Sequence, residues 1–152
     1  MKPNKNEYID QTSITIEASP QQVYDFVLTP RNWKGTHPVT ADVAGNVDEV
    51  VTIGSSWREF IDFPPHKVIA TWTCNKAEPA KMAEYFSLEP YAPNACYITY
   101  EFQPSGGGTQ FTRTMRVPFT DSPAPAENQN TAEVSKKYLE AVKSAVESAN
   151  KK

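Results

Sequence analysis

The sequence predicts an α+β fold in which a curved antiparallel sheet of about six to seven strands wraps around a long C-terminal helix, with two short helices after the first strand. Three observations predict it. A capped helix start follows directly on an alternating strand near the N-terminus, β-branched and aromatic runs broken by turn residues fill the middle, and an amphipathic stripe closes the chain.

Residues 1–11 form a polar N-terminal segment, after which Thr12 to Glu17 (TSITIE) alternate Ile14 and Ile16 with polar neighbours, as a half-buried strand does. Ser19 then reads as an N-cap, with Pro20 at the first helical position and Gln22 placed to complete a capping box. Val23, Phe26 and Val27 share one face of this helix, and Pro30 stops it. A second short helical turn, from Pro30 to about Gly35, carries Trp33. From Val39 onward, strands are predicted over 39–44, 47–53, 56–62, 67–77, 82–88, 95–103 and 109–118. The turns between them fall at Gly45-Asn46, Gly54 to Ser56, Pro64-Pro65, Pro90 to Asn94 and Ser105 to Gly108. The clearest hairpin is the last, where glycines supply the positive backbone angles a tight turn needs.

Residues 120–130 (TDSPAPAENQN) are too rich in proline and polar groups to be an element, and they read as an exposed connection to the last helix. From Thr131 to about Asn150, Val134, Tyr138, Ala141, Val142, Ala145, Val146 and Ala149 form one apolar stripe. A helix of that length, about 30 Å at 1.5 Å per residue, must bury the stripe against the sheet.

The bulk numbers narrow the function classes. A length of 152 residues suits one domain spanning 1–152. A net charge of -3 with both signs scattered gives no basic stripe, so nucleic acid is not an expected partner. The N-terminus has no apolar leader, and no stretch approaches the roughly 18 apolar residues of a membrane span, which predicts cytoplasmic residence without stable membrane insertion. Cys74 and Cys96 lack the paired spacing of a zinc or redox motif and read as free thiols, so no metal and no cofactor are expected. Exposed edge strands leave a homodimer open.

The element order, together with the segments ITIEASPQQVYDFVLTPRNWKGTHP, GSSWREFI and GGGTQFTRTMR and the closing amphipathic helix, resembles the START-like (SRPBCC) superfamily with its helix-grip fold. The polyketide cyclase/dehydrase-like branch is the most similar, over nearly the whole chain. The resemblance implies an internal apolar cavity that binds a small hydrophobic lipid-, polyketide- or aromatic-like ligand, as a carrier or sensor. An alternative it implies is a cofactor-free polyketide cyclase or dehydratase using acid and base residues of the cavity; a third is a protein-interaction module. The matching segments mark fold rather than catalysis. No Cys-x-His pair of the Rieske kind is present, which argues against ring hydroxylation.

Strand alternation selects the candidate site residues. Trp57, Glu59 and Ile61 share one register, and Phe111, Arg113, Met115 and Val117 share another, so Glu59 and Arg113 each stand in an apolar row. If both face inward they are expected to pair, because an isolated charge in an apolar cavity costs several kcal/mol. Arg113 would then anchor a ligand carboxylate or carbonyl, and Glu59 would be a catalytic acid or base. The opposite reading is a pair on the solvated face. The register Arg58, Phe60, Asp62 reads as outer surface. Trp33, Trp72, Tyr85, Tyr100 and Tyr138 are candidate ligand contacts, their rings apolar and their N–H or O–H groups able to reach a carbonyl. His37, near the expected cavity mouth, is a second catalytic candidate, although a loop histidine before proline is more often exposed. His66 reads as exposed at a hairpin tip.

Overall fold

A computed structural model describes residues 7–63, 66–89, 95–118 and 131–150. The elements are β1 (Tyr8–Ile16), α1 (Pro20–Val27), a 3₁₀ turn (Pro30–Trp33), β2 (Thr40–Gly45), β3 (Ser56–Phe63), β4 (His66–Glu78), β5 (Met82–Ser87), β6 (Cys96–Ser105), β7 (Gly108–Val117) and α2 (Thr131–Asn150). The strands form one antiparallel sheet in the order β1-β7-β6-β5-β4-β3-β2. This is the expected helix-grip arrangement.

The local signals act as their chemistry dictates. Ser19 caps α1, accepting from the Gln22 backbone N–H while the Gln22 side chain accepts from the Ser19 N–H, with Pro20 at the start. Gly106 and Gly107 turn the β6–β7 hairpin at φ of +55° and +87°. Beside them, Gly108 lies so close to β1 that an added Cβ would sit 2.4 Å from the Ile16 carbonyl oxygen, so only glycine lets the two backbones approach there.

Two predicted boundaries move. β1 begins at Tyr8, inside the segment expected to be merely polar, and it pairs with β7 from Tyr8↔Val117 to Ile16↔Thr109. Its outward side chains, Gln11 and Ser13, bond Thr114 and Thr112 at 2.9 and 2.8 Å, so a ladder of backbone and polar contacts extends the strand where no apolar pattern signals it. Residues 47–53, predicted as a strand, form a loop. Arg31 N donates to Val47 O and Val51 N to Leu28 O, both at 2.9 Å, which docks the loop on the end of α1 and the 3₁₀ turn. Val47 and Val51 are buried by that docking while Val50 and Ile53 stay exposed, an alternation that mimics a strand.

The core lies between the concave face of the sheet and α2. Ser135, Tyr138, Leu139, Val142 and Val146 form the buried stripe of α2, whereas Ala149, expected in it, is exposed. Polar ties hold the helix end: Glu17 N–H donates to Glu147 Oε2 at 2.7 Å, Lys143 Nζ to Thr15 O at 2.9 Å, and Gln22 Nε2 to Asn150 Oδ1 at 2.7 Å. Residues 120–130 and the turn at Pro90 to Asn94 lie outside the described residues, as do Pro64, Pro65 and the His66 side chain.

Candidate functional site

Inward-facing positions of β3 to β7 give the interior an aromatic wall. Trp57 and Trp72 stand directly opposite each other on β3 and β4. Tyr85 of β5 lies at the centre, its ring centroid 5.3 Å from Trp33, 5.5 Å from Trp57, 5.0 Å from Trp72 and 5.6 Å from Tyr100. Trp33 stacks on Tyr85 and the other three contacts are edge-to-face, so each ring is fixed against the next. The convex side is different, with Arg58 and Asp62 exposed.

Set into this wall are polar groups that the fold buries. Glu59 is 4 % exposed, and both of its carboxylate oxygens are engaged: Thr40 Oγ1 donates to Oε2 and Trp72 Nε1 donates to Oε1 at 2.9 Å. Burial raises the Glu59 pKa; the bonds from Thr40 and Trp72 and the positive charge of Arg113 oppose the rise without cancelling it. Glu59 therefore keeps its proton to a higher pH than an exposed glutamate does.

Arg113 is 6 % exposed on β7, but it does not pair with Glu59 as expected; no ion pair joins them among the described residues. The guanidinium instead donates from Nη1 to Ser135 Oγ at 2.7 Å, and the Ser135 hydroxyl in turn donates to Asp10 Oδ2 at 2.6 Å. The reason is topological. β7 neighbours β1 in the sheet and faces α2, whereas three strands separate β7 from β3. A neutral serine thus bridges two opposite charges from three elements, and the guanidinium stays charged: burial alone opposes its charge, and the oxygens of Tyr100, Tyr85 and Tyr138 favour it. Its Nε–H has no acceptor among the described residues.

The tyrosines make a chain beside it. Tyr85 and Tyr100 hydroxyls are 2.7 Å apart, and Tyr100 donates to Tyr138 at 3.4 Å, which leaves Tyr85 as donor to Tyr100 and the Tyr138 proton outside the chain. The Arg113 guanidinium carbon sits 5.8 Å from the Tyr138 ring centroid. Burial pushes the Tyr85 and Tyr138 hydroxyls well above their ordinary range, so both remain donors at any physiological pH.

His37 is the clearest departure from expectation for a single residue. Placed near the cavity mouth with an exposed side chain as the commoner outcome, it is half-buried with its ring 4.9 Å from that of Tyr138, and its Nδ1 is buried with no partner among the described residues. Its backbone explains the turn inward, since His37 N–H donates to Trp33 O at 2.8 Å and winds the chain back over the 3₁₀ turn. Burial, then the nearby Arg113 charge, lowers its pKa to about 3, so the imidazole is neutral.

The structure therefore brings Glu59, Arg113, His37, Trp33, Trp72, Tyr85, Tyr100 and Tyr138 to one interior. Asp10, Ser135 and Thr40 were missed by sequence reasoning. Asp10 lies in a segment that reads as polar tail, and Ser135 offers only its i, i+3 spacing to Tyr138 as a signal. Among the described residues no three His, Cys, Asp or Glu side chains come together to hold a metal ion. No described helix is long and apolar enough to cross a membrane.

A curved sheet gripping a terminal helix over an aromatic interior defines a START-like (SRPBCC) protein. Within that superfamily, the chain belongs to the polyketide cyclase/dehydrase and lipid transport family, which it matches over residues 11–148. It is 31 % identical to penitrem biosynthesis cluster 1 protein I of Penicillium ochrochloron, over 93 % of this chain and 98 % of that protein. Among solved structures, Ara h 8.0201 superposes with a TM-score of 0.72 at 13 % identity, covering 93 % of this chain and 99 % of the other. The ZhuI aromatase/cyclase from a Streptomyces species gives 0.71 at 17 % identity, covering 93 % and 94 %. The solved structures show the fold, and the family match supports a role in binding hydrophobic ligands or in cyclase chemistry.

Proposed function

We propose that this protein binds a small hydrophobic, carbonyl-bearing molecule between the sheet and α2 and acts on it by acid–base chemistry of the cyclase or dehydratase type. The observation that carries this reading is a protonatable carboxyl, Glu59, and a charged guanidinium, Arg113, with an N–H unpartnered among the described residues, both facing one aromatic interior. A donor aimed at a carbonyl gains most when that oxygen becomes an enolate, so Arg113, with the free proton of Tyr138 beside it, stabilises the transition state more than the ground state. Glu59 takes the α-proton as the enolate forms. The enolate carbon adds to a second carbonyl of the same molecule, whose C=O π bond opens to an alkoxide, and Glu59 returns the proton to that alkoxide, leaving an alcohol. In a following dehydration it takes a second α-proton and delivers it to the departing hydroxyl, which leaves as water. The names of two relatives support the direction of this reading, one given to a biosynthetic cluster and one to an aromatase/cyclase.

A carrier is the second reading, and one observation favours it: both Glu59 oxygens already accept bonds from Thr40 and Trp72, so the carboxyl must exchange one of them to reach a ligand. Native mass spectrometry of the wild type and of Glu59→Gln, each purified from its own host, separates the two. An enzyme retains different compounds in the two preparations, the variant's being the unreacted precursor. One identical compound in both means carriage without chemistry.

A further inference from the structure

The three tryptophans offer an internal contrast. Trp33 Nε1–H donates to Val27 O and Trp72 Nε1–H to Glu59, each at 2.9 Å. Trp57 Nε1–H, in a residue only 2 % exposed, has no acceptor among the described residues. Arg113 Nε–H shares that condition. A buried donor without an acceptor costs roughly 1–3 kcal/mol, so two of them on the inner face of one sheet call for something that accepts from both.

The two donors come from opposite halves of the sheet. Trp57 is on β3 and Arg113 on β7, with β4, β5 and β6 between them. At about 4.8 Å per strand, four steps make roughly 19 Å of sheet arc, and the chord across the concave side is shorter. The wall between is aromatic: the Tyr85 ring lies 5.5 Å from Trp57 and 5.6 Å from Tyr100, whose hydroxyl reaches that of Tyr138 next to Arg113. Flat rings pack best against flat, conjugated surfaces.

We propose that the Trp57 indole N–H is a second polar anchor, so that the molecule bound is aromatic or conjugated and carries two separated oxygens, an acidic or enolisable one at Arg113 and a neutral hydroxyl or carbonyl at Trp57. This rests on the ligand-binding half of the preceding reading. The division of labour follows from the donors: the guanidinium carries charge and suits an anionic oxygen, whereas an indole N–H is an uncharged donor and suits a neutral acceptor. A ligand lacking the second oxygen leaves Trp57 unmet and binds more weakly.

Two probes test it, 2-naphthoate and 6-hydroxy-2-naphthoate, titrated into the full ¹⁵N-labelled chain. The hydroxy acid is expected to bind about 5-fold more tightly, the yield of one neutral hydrogen bond. The Trp57 indole resonance, assigned with Trp57→Phe, is expected to move downfield with the hydroxy acid alone, while those of Trp33 and Trp72 stay nearly still. Trp57→Phe is expected to bind the two acids equally. Equal affinity in the wild type with an unmoved Trp57 signal overturns the anchor, as does a preference that survives Trp57→Phe; the N–H then rests on the ring face of Trp33 or Tyr85. In those cases 2-naphthoate binding that is lost in Arg113→Ala leaves the preceding reading intact. If neither acid binds the wild type, both proposals fall.

Discussion

Glu59 and Arg113 meet the same physical problem, a charge in an apolar interior, and the protein solves it differently at each. At the β3 end, neutral donors from β2 and β4 hold the carboxyl within the sheet, and burial raises its pKa toward the neutral form. At the β7 end the charge is kept, and its compensation arrives from another layer, through Ser135 of α2 to Asp10 of β1. One end is thus a matter of sheet register; the other depends on how the helix sits. An acid that titrates and a cation that does not can coexist only because their surroundings differ in this way.

If that contrast is right, the largest effect should come from the helix-dependent end. Asp10→Asn removes the negative charge behind Arg113 and leaves a buried cation uncompensated, with an expected loss of about 3 kcal/mol in urea denaturation. A loss below about 1 kcal/mol would mean that Arg113 is balanced elsewhere and that the relay through Ser135 is incidental.

A smaller effect, and one of opposite character, is expected at Glu59. Because its folded-state pKa is raised above the ordinary value of 4.5, the folded chain holds a proton that the unfolded chain releases over the interval between them. The stability this group contributes is full below the ordinary value and is lost as pH rises through the raised one. Glu59→Gln keeps the shape and abolishes the titration, so relative to wild type the variant gains stability as pH rises from the ordinary value of 4.5 through the raised one. His37 works the other way: its folded-state pKa of about 3 lies below the ordinary 6.5, so its stability is present above 6.5 and is lost as pH falls toward 3. A Glu59→Gln difference that is flat with pH would show that folding leaves the carboxyl's pKa unchanged.

The smallest effect belongs to charges on the outer surface. Arg31 and Asp48 form a 2.8 Å ion pair with side chains 51 % and 71 % exposed. Arg31→Ala is expected to leave stability almost unchanged in the same denaturation assay, and more nearly so at high salt. A change as large as that of Asp10→Asn would erase the distinction between buried and surface charge drawn above.

Much of this was legible in advance where the cause is local. Ser19, Pro20 and Gln22 state a helix start because a capping box closes within four residues. The inward rows of β3 and β7 follow from the two-residue period of a strand, and so Glu59 and Arg113 could be named as the charges to watch. The false strand at 47–53 arose because burial alternates there for a reason periodicity does not encode, the docking of Val47 and Val51 on α1 and the 3₁₀ turn. The exposure expected of the His37 side chain failed for a related reason: composition cannot tell a loop that hangs outward from one wound back by a hydrogen bond to Trp33.

By itself, then, the sequence determined the element types, most of their order along the chain and which strand faces are apolar, since these depend on neighbours a few residues away. Tertiary structure alone decided which buried charge answers which. Ser135 meets Asp10 across 125 positions, and Arg113 reaches Ser135 rather than Glu59, because sheet order and the seat of the terminal helix place β1, β7 and α2 together. No local period carries that information; it exists only once the sheet has closed around the helix and every buried polar atom must find a partner or keep one open.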